Sequence, residues 1–213
     1  MKRLAAALVL FAAASVAAQE TGNAVLQQQR LAMVLRETTK LYEAGQYQAA
    51  LQRLDTVQGA AAKDLAVLNL RGAILSKTGD YSQAGELFRS ILAANPDYFP
   101  AAFNLGELLF MQGQYEPALE SFQTMLARDP RNELLRFKTA LCQLVLNRDE
   151  DAKKTAAGLV PTGSTPAWYY AQAVFARKAG DESRARKNLS AAKSIYRDSG
   201  CQLFDESIAT VKF

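Results

Sequence analysis

Residues 99–132, FPAAFNLGELLFMQGQYEPALESFQTMLARDPRN, have the pattern of two amphipathic helices joined by a tight turn. Apolar side chains in residues 101–112 recur at three- and four-residue steps, the period of one helix face. Gly113 follows the last of them, as expected at a helix C-terminus that needs a left-handed backbone. A second helix opens near Tyr115 and ends before Pro130. The stretch therefore predicts a pair of packed helices.

The same pattern recurs along the chain at steps of 34, 34, 34 and 33 residues. The residue that closes the first helix of each pair is Gly or, once, Asn, which tolerates the left-handed conformation best after Gly. A small residue precedes it by seven positions and an Ala follows it by five, so the two backbones can approach closely. In chain order, the closing residues are Gly45, Gly79, Gly113, Asn147 and Gly180, the preceding small residues are Thr38, Gly72, Gly106, Ala140 and Ala173, and the alanines are Ala50, Ala84, Ala118, Ala152 and Ala185.

This period and these positions resemble the tetratricopeptide repeat family over residues 31–199. The resemblance implies an all-α, tetratricopeptide-like α-α superhelix, or solenoid, of about five helix pairs. In the fourth pair Asp149 replaces the Tyr that opens the second helix in the first three pairs, and Ala156 replaces a large core residue. The loop 158–165 then interrupts the array, as a hinge or as a tolerated irregularity. The five pairs cover approximately residues 31–64, 65–98, 99–132, 133–165 and 166–199.

Residues 1–18 have the order of a secretory signal peptide. Lys2 and Arg3 precede an apolar run that ends in small residues and is shorter than the roughly 20 residues that span a bilayer. We expect cleavage before Gln19, an exported chain in the periplasm or outside the cell, and no transmembrane segment in the mature protein. An uncleaved membrane anchor is the alternative.

The two ends of the array are expected to be covered by helical or apolar segments. Residues 19–30 are interpreted as an N-terminal extension of the first helix. Gly200 is expected to break the last helix, and the tail 200–213 is then apolar enough to cap the terminal repeat. The apolar residues of this tail are Leu203, Phe204, Ile208, Val211 and Phe213.

Composition argues against an enzyme and against nucleic acid binding. The net charge is +4, and it falls to +2 when Lys2 and Arg3 leave with the signal. The chain contains no His, which removes imidazole chemistry, and no phosphate-binding Gly loop, so no catalytic residue, metal site or cofactor is predicted. Its two cysteines, Cys142 and Cys201, are either a disulfide that ties the tail to the array or two separate buried thiols.

In the family, the first helices line a concave groove that binds an extended peptide or a helix. The Lys/Arg/Asn clamp that grips a C-terminal carboxylate in one version of the family is matched at Asn104 and Lys138. Ala73 and Leu134 replace two other clamp positions, so a protein partner with an apolar segment is expected instead. The candidate groove residues are Tyr42, Asn69, Phe103, Asn104, Phe110, Met111, Phe137, Lys138 and Tyr170, with Glu107 and Arg177 near the edges.

Three functions remain open. The first is an exported adaptor that binds a peptide or helix of an envelope or secretion partner in the groove. The second is a structural subunit of an envelope assembly that uses its convex face and ends, and the third, remote, is a carboxylate-based hydrolase. The last repeat carries a basic set that is either a solvated helix face or a weak contact with an anionic surface. That set is Arg177, Lys178, Arg184, Arg186, Lys187, Lys193 and Arg197.

Overall fold

The computed structural model describes the backbone of residues 2–211 and the side chains of residues 23–211. Within this range the chain forms ten α-helices, one short 3-10 helix and no strand, which confirms the all-α prediction. The side chains of the predicted signal segment 1–18, and residues 212 and 213 of the predicted tail, lie outside the described residues. The helices are α1 (Lys2–Glu43), α2 (Tyr47–Asp55), the 3-10 helix (Gly59–Lys63), α3 (Leu65–Thr78), α4 (Tyr81–Ala94), α5 (Phe99–Met111), α6 (Tyr115–Arg128), α7 (Glu133–Val145), α8 (Asp149–Ala156), α9 (Ala167–Lys178) and α10 (Glu182–Ala209).

The residue that ends the first helix of each pair has a left-handed backbone, as predicted from its identity. Gly113 has φ = +73°, and Asn147, the one non-glycine of the set, has φ = +58°. The other three closing glycines also have positive φ angles. Because side chains other than Gly and Asn rarely adopt this conformation, these positions determine where each helix pair turns.

The close approach of the two helices in a pair is visible between α5 and α6. A Cβ atom at Gly106 would lie 2.9 Å from Cε1 of Phe122, whose ring is fully buried. The ring of Phe103 contacts the same Phe122 ring at a centroid distance of 6.0 Å. The small residue on the first helix therefore makes the space that the aromatic ring of the second helix fills.

The chain divides into two units, Met1–Leu87 and Phe88–Phe213. In the first unit α1 packs on α2, and α2 packs on α3. The core of this unit is formed by Ala50, Leu54, Val67 and Ile74.

The second unit contains a larger core, to which α5 through α10 all contribute. Each of α5, α6 and α7 packs on the next helix along the chain, and α7 also packs on α9. Residues Leu135 and Leu141 of α7 are completely buried. Helix α7 is therefore the central element of this unit.

The loop 158–165 is fastened to the start of α7 by one carboxylate. Glu133 accepts hydrogen bonds from the backbone N–H and hydroxyl of Thr165 at 2.8 and 2.6 Å, and from those of Ser164 at 3.1 and 3.3 Å. Tyr196 donates from its hydroxyl to the carbonyl of Gly163 at 2.9 Å. These bonds hold the loop in place, so of the two interpretations the tolerated irregularity fits the structure better than a hinge.

The last helix does not break at Gly200, and this prediction is wrong. Helix α10 continues through Gly200, and its backbone instead departs from helical geometry at Arg197, with φ = 60° and ψ = 169°. The turn lies three residues earlier because the residues after it pack onto α7 and α9, as described below. Tertiary packing, rather than the helix propensity of Gly, decides the position of this kink.

Candidate functional site

The first helices α5, α7 and α9 present one continuous set of side chains within the second unit. Phe110 and Glu107 come from α5, Phe137 and Lys138 from α7, and Tyr170 from α9. Phe137 and Tyr170 meet edge to face, with ring centroids 6.2 Å apart. We call these five residues the docking face.

The docking face is covered by the chain's own C-terminal residues. Residues 198–211, which we call the C-terminal segment, follow the kink at Arg197. The ring of Phe204 in this segment lies 5.0 Å from that of Phe137 and 5.2 Å from that of Tyr170. Cys201 and Ile208, three residues before and four after Phe204, are also buried. One face of a short amphipathic helix therefore packs against α7 and α9.

A buried charge pair lies at the centre of this contact. The Nζ atom of Lys138 is 2.5 Å from Oε2 of Glu107 and 2.5 Å from Oγ of Ser207 in the C-terminal segment. It also lies 5.7 Å from the centroid of the Phe110 ring, within range of a cation–π interaction. The side chain of Lys138 is 0% exposed and that of Glu107 20%. Because burying an ammonium is costly unless it is paired, these contacts are what allow Lys138 to lie inside.

A second polar contact joins the C-terminal segment to α9. The hydroxyl of Tyr170 donates to Oδ1 of Asp205 at 2.6 Å, while Oδ2 of Asp205 pairs with Lys193 at 3.1 Å. Burial, followed by the hydrogen bond to Asp205, raises the pKa of Tyr170 well above its ordinary value. The phenol therefore remains protonated and acts as a donor.

Both cysteines are free and buried. Burial raises the pKa of the Cys142 thiol to about 12, and burial also raises that of Cys201. Of the two sequence-based alternatives, the structure has two separate thiols. Cys142 lies in α7 and Cys201 in the C-terminal segment.

The structure separates the nine predicted groove residues into three groups. Four of them do not face an open groove, because neighbouring side chains and the C-terminal segment cover them. Their role in binding a partner stays a prediction. Those four are Phe110, Phe137, Lys138 and Tyr170, the half-buried ones are Tyr42, Asn69, Phe103 and Asn104, and Met111 is exposed.

The residues that complete the site were not identified from the sequence as site residues. Ser207 and Asp205 provide the polar contacts to the docking face, and for Phe204 the sequence predicts only a place in the capping tail. The sequence did contain a signal for this arrangement. Cys201, Phe204 and Ile208 are spaced as one face of a helix, which indicates a segment that packs against the array.

The degenerate fourth pair leaves a cleft elsewhere in the second unit. Helix α8 is only eight residues long, and Ala156 stands where Phe122 stands in the preceding pair. A cleft of about 520 Å³ lies beside it, lined among others by Trp168 and Phe175 of α9. The sequence shows that Ala156 replaces a large core residue, and the structure has a cleft beside α8 and α9 at this position.

Family models with the description "Tetratricopeptide repeat" match most of the repeat array. One model matches residues 75–124 and 109–175, and a second matches residues 39–99. Together they span residues 39–175, which is more than half of the chain. The chain belongs to the tetratricopeptide repeat family. Members of this family are generally non-enzymatic scaffolds, and the repeats imply protein partners.

Solved tetratricopeptide repeat structures share the fold. A protein of Parabacteroides merdae ATCC 43184 superimposes with a TM-score of 0.68 at 18% identity, covering 84% of this chain and 70% of that chain. A thermophilic protein of Thermus thermophilus superimposes with a TM-score of 0.66 at 21% identity, covering 84% of this chain and 99% of that chain. The protein described as MamA AMB-1 superimposes with a TM-score of 0.55 at 23% identity, covering 82% of this chain and 96% of that chain. These similarities confirm the predicted fold class, a tetratricopeptide-like superhelix.

No curated protein matches the chain in sequence. Among the helices of the described residues, none is both long and apolar enough to cross a membrane.

Proposed function

We propose that this tetratricopeptide repeat protein is an exported scaffold that binds a helical or peptide segment of an envelope or secretion partner on the face formed by α5, α7 and α9. The observation that carries the proposal is the packing of an amphipathic helix, the C-terminal segment, on that face. Phe204 inserts against Phe137 and Tyr170, so the face has the shape and the aromatic surface that a bound helix needs.

Helix α5, which carries Phe110 and Glu107 of the docking face, has additional exposed apolar side chains at its two ends. Phe99 and Met111, at the two ends of α5, have exposed fractions of 45% and 37%. Phe103 stacks on Phe99, with ring centroids 6.2 Å apart. A partner segment that extends from the docking face along α5 would contact these side chains, which fits the expected apolar ligand.

Photo-crosslinking in the native host tests the proposal. A photoreactive amino acid at Met111 probes the α5 side, and the same amino acid at Arg186, exposed on α10, is the matched control. We expect one envelope protein to be captured from Met111 and not from Arg186, and the purified pair to bind. Capture from Arg186 alone, or from neither position, would contradict binding on this face. Cell fractionation and an N-terminus at Gln19 test the export.

A structural role in an envelope assembly is the second candidate, and one observation in the first unit favours it. Val25, Leu26 and Met33 of α1 are large apolar side chains with exposed fractions of 53%, 54% and 51%. Exposed apolar side chains clustered on one helix are typical of an interface. A photoreactive probe at Met33 that captures a partner when the Met111 probe captures none would favour this role. The weak contact with an anionic surface remains part of the proposal, through the exposed Arg184, Arg186 and Lys187 of α10.

A further inference from the structure

We propose that the C-terminal segment is an internal occupant of the docking face, and that the partner is a helix that displaces it by presenting the same side chains. The proposal rests on the function proposed above and specifies the partner chemistry. The pattern is an aromatic residue, a carboxylate one position later, a hydroxyl three positions later and an aliphatic residue four positions later. In this chain those residues are Phe204, Asp205, Ser207 and Ile208.

Each member of the pattern has a specific contact on the array. Phe204 packs on the rings of both Phe137 and Tyr170, Asp205 accepts from the Tyr170 hydroxyl, and Ser207 accepts from the ammonium of Lys138. Polar contacts at defined positions set the register of a bound helix more strictly than apolar packing does. A segment that only covered the end of the array would need no buried lysine opposite it.

The C-terminal segment leaves one buried acceptor of the docking face without a donor. Oε2 of Glu107 pairs with Lys138, but no donor among the described residues reaches Oε1, which is inaccessible to solvent. An unsatisfied buried carboxylate oxygen is unfavourable. A partner helix that also places an amide, hydroxyl or cationic donor at Glu107 would satisfy this oxygen. The structure thus provides a reason why a partner can replace the internal segment.

The connection to the segment is suited to its release. Arg197 has a φ angle of 60° with ψ at 169°, a region of the backbone that residues other than Gly rarely occupy. Releasing the segment allows Arg197 to relax to an ordinary conformation. The helical part of the segment has only about three turns, so the array can open at Arg197 while the core of α7 stays packed.

Thiol labelling reads out the release directly, because the chain has one cysteine on each side of the contact. Both thiols are buried, Cys201 in the segment and Cys142 in α7, one helical turn after Lys138. We expect Phe204→Ala in the full chain to raise the alkylation rate of Cys201 by iodoacetamide at least tenfold, and that of Cys142 by much less. Gln202→Ala, at an exposed position of the same segment, is the control and should change neither rate. A parallel rise at both cysteines, or no rise at Cys201, would overturn the proposal.

A binding experiment tests whether the face accepts a helix from outside. The probe is a fluorescent synthetic peptide of residues 198–211 that carries Cys201→Ser. We expect the Phe204→Ala chain to bind it at least tenfold more tightly than the wild-type chain or the Gln202→Ala chain, because the intact internal segment competes at high effective concentration. Equal binding by all three chains, or no binding by any, would overturn the proposal.

The two proposals fail in different ways. If Met111 crosslinks a partner but the peptide does not bind, the function stands and the internal-occupant inference falls. If the peptide binds but no partner is captured, the face accepts a helix and the assigned function is wrong.

Discussion

The ammonium group of Lys138 lies 2.5 Å from the hydroxyl of Ser207, a residue that follows it by 69 positions in the chain. The same ammonium pairs with Glu107 of the preceding repeat. Three parts of the array, α5, α7 and the C-terminal segment, therefore meet at one fully buried cation. This contact determines the register of the segment on the docking face, because a displaced segment would leave the charge without its hydroxyl partner.

Removing the Lys138 ammonium alone should lower the stability of the fold more than removing both Lys138 and Glu107. We expect Lys138→Met to lower the free energy of unfolding by about 2 to 4 kcal/mol, because Glu107 then remains as an uncompensated, largely buried charge. The double variant Lys138→Met with Glu107→Leu should recover at least half of that loss. Urea unfolding of the wild type, the two single variants and the double variant measures the coupling. Purely additive effects would show that the pair is not energetically coupled.

The size of the residue at Gly106 is predicted to limit the packing of the third repeat. Gly106→Ala gains about 1 kcal/mol in helix propensity but forces its Cβ to 2.9 Å from the Phe122 ring, so we expect a net loss of about 1 to 2 kcal/mol. Gly200→Ala is the matched control, since its Cβ would meet the Cβ of Tyr196 at an ordinary 3.4 Å. The control should gain about 0.5 to 1 kcal/mol. Thermal unfolding compares the two, and equal shifts of Tm would contradict the steric explanation.

Acid should remove the stabilisation that the Glu133 carboxylate gives to the loop 158–165. Desolvation raises the pKa of Glu133, but the hydrogen bonds from Thr165 and Ser164 outweigh it and hold the pKa below its ordinary value of 4.5. The contribution is therefore complete above the ordinary value and is lost as the pH falls through the lowered pKa. We expect Glu133→Gln to lower Tm at pH 7 and the difference from wild type to shrink below about pH 4. Glu120→Gln, on the exposed face of α6, should show no such trend; a Tm difference for Glu133→Gln that does not depend on pH would contradict the assignment.

The cleft beside α8 predicts a stabilising substitution. Ala156→Leu places apolar atoms in the cleft next to Trp168 and Phe175, and we expect it to raise the free energy of unfolding by about 1 kcal/mol. Ala152→Leu, on the same helix but fully buried in the core, should instead lower it by about 1 to 3 kcal/mol. Denaturant unfolding of both variants measures whether an added side chain is tolerated at the cleft and not in the core. A loss of stability with Ala156→Leu would show that the cleft has no room for the side chain.

The sequence by itself determined the repeating unit, because that unit depends on local chemistry. Gly or Asn was needed where the backbone turns left-handed, and Asn147 adopts that conformation as predicted. A residue without a Cβ was needed opposite Phe122, and Gly106 supplies it. Such requirements act between residues that are close along the chain, and therefore they appear in the sequence as a period.

Only the tertiary structure decided what the first helices of the second unit contact. The sequence indicated that Phe137, Lys138 and Tyr170 share one face, and it indicated an apolar tail that packs against the array, but it did not show that the tail packs on these three residues. Their contact depends on the kink at Arg197, a residue with no intrinsic preference for positive φ. It also depends on pairing groups 69 residues apart, such as Lys138 and Ser207. The kinked backbone at Arg197 is held by these tertiary contacts. No pattern of residues close together in the sequence predicts it.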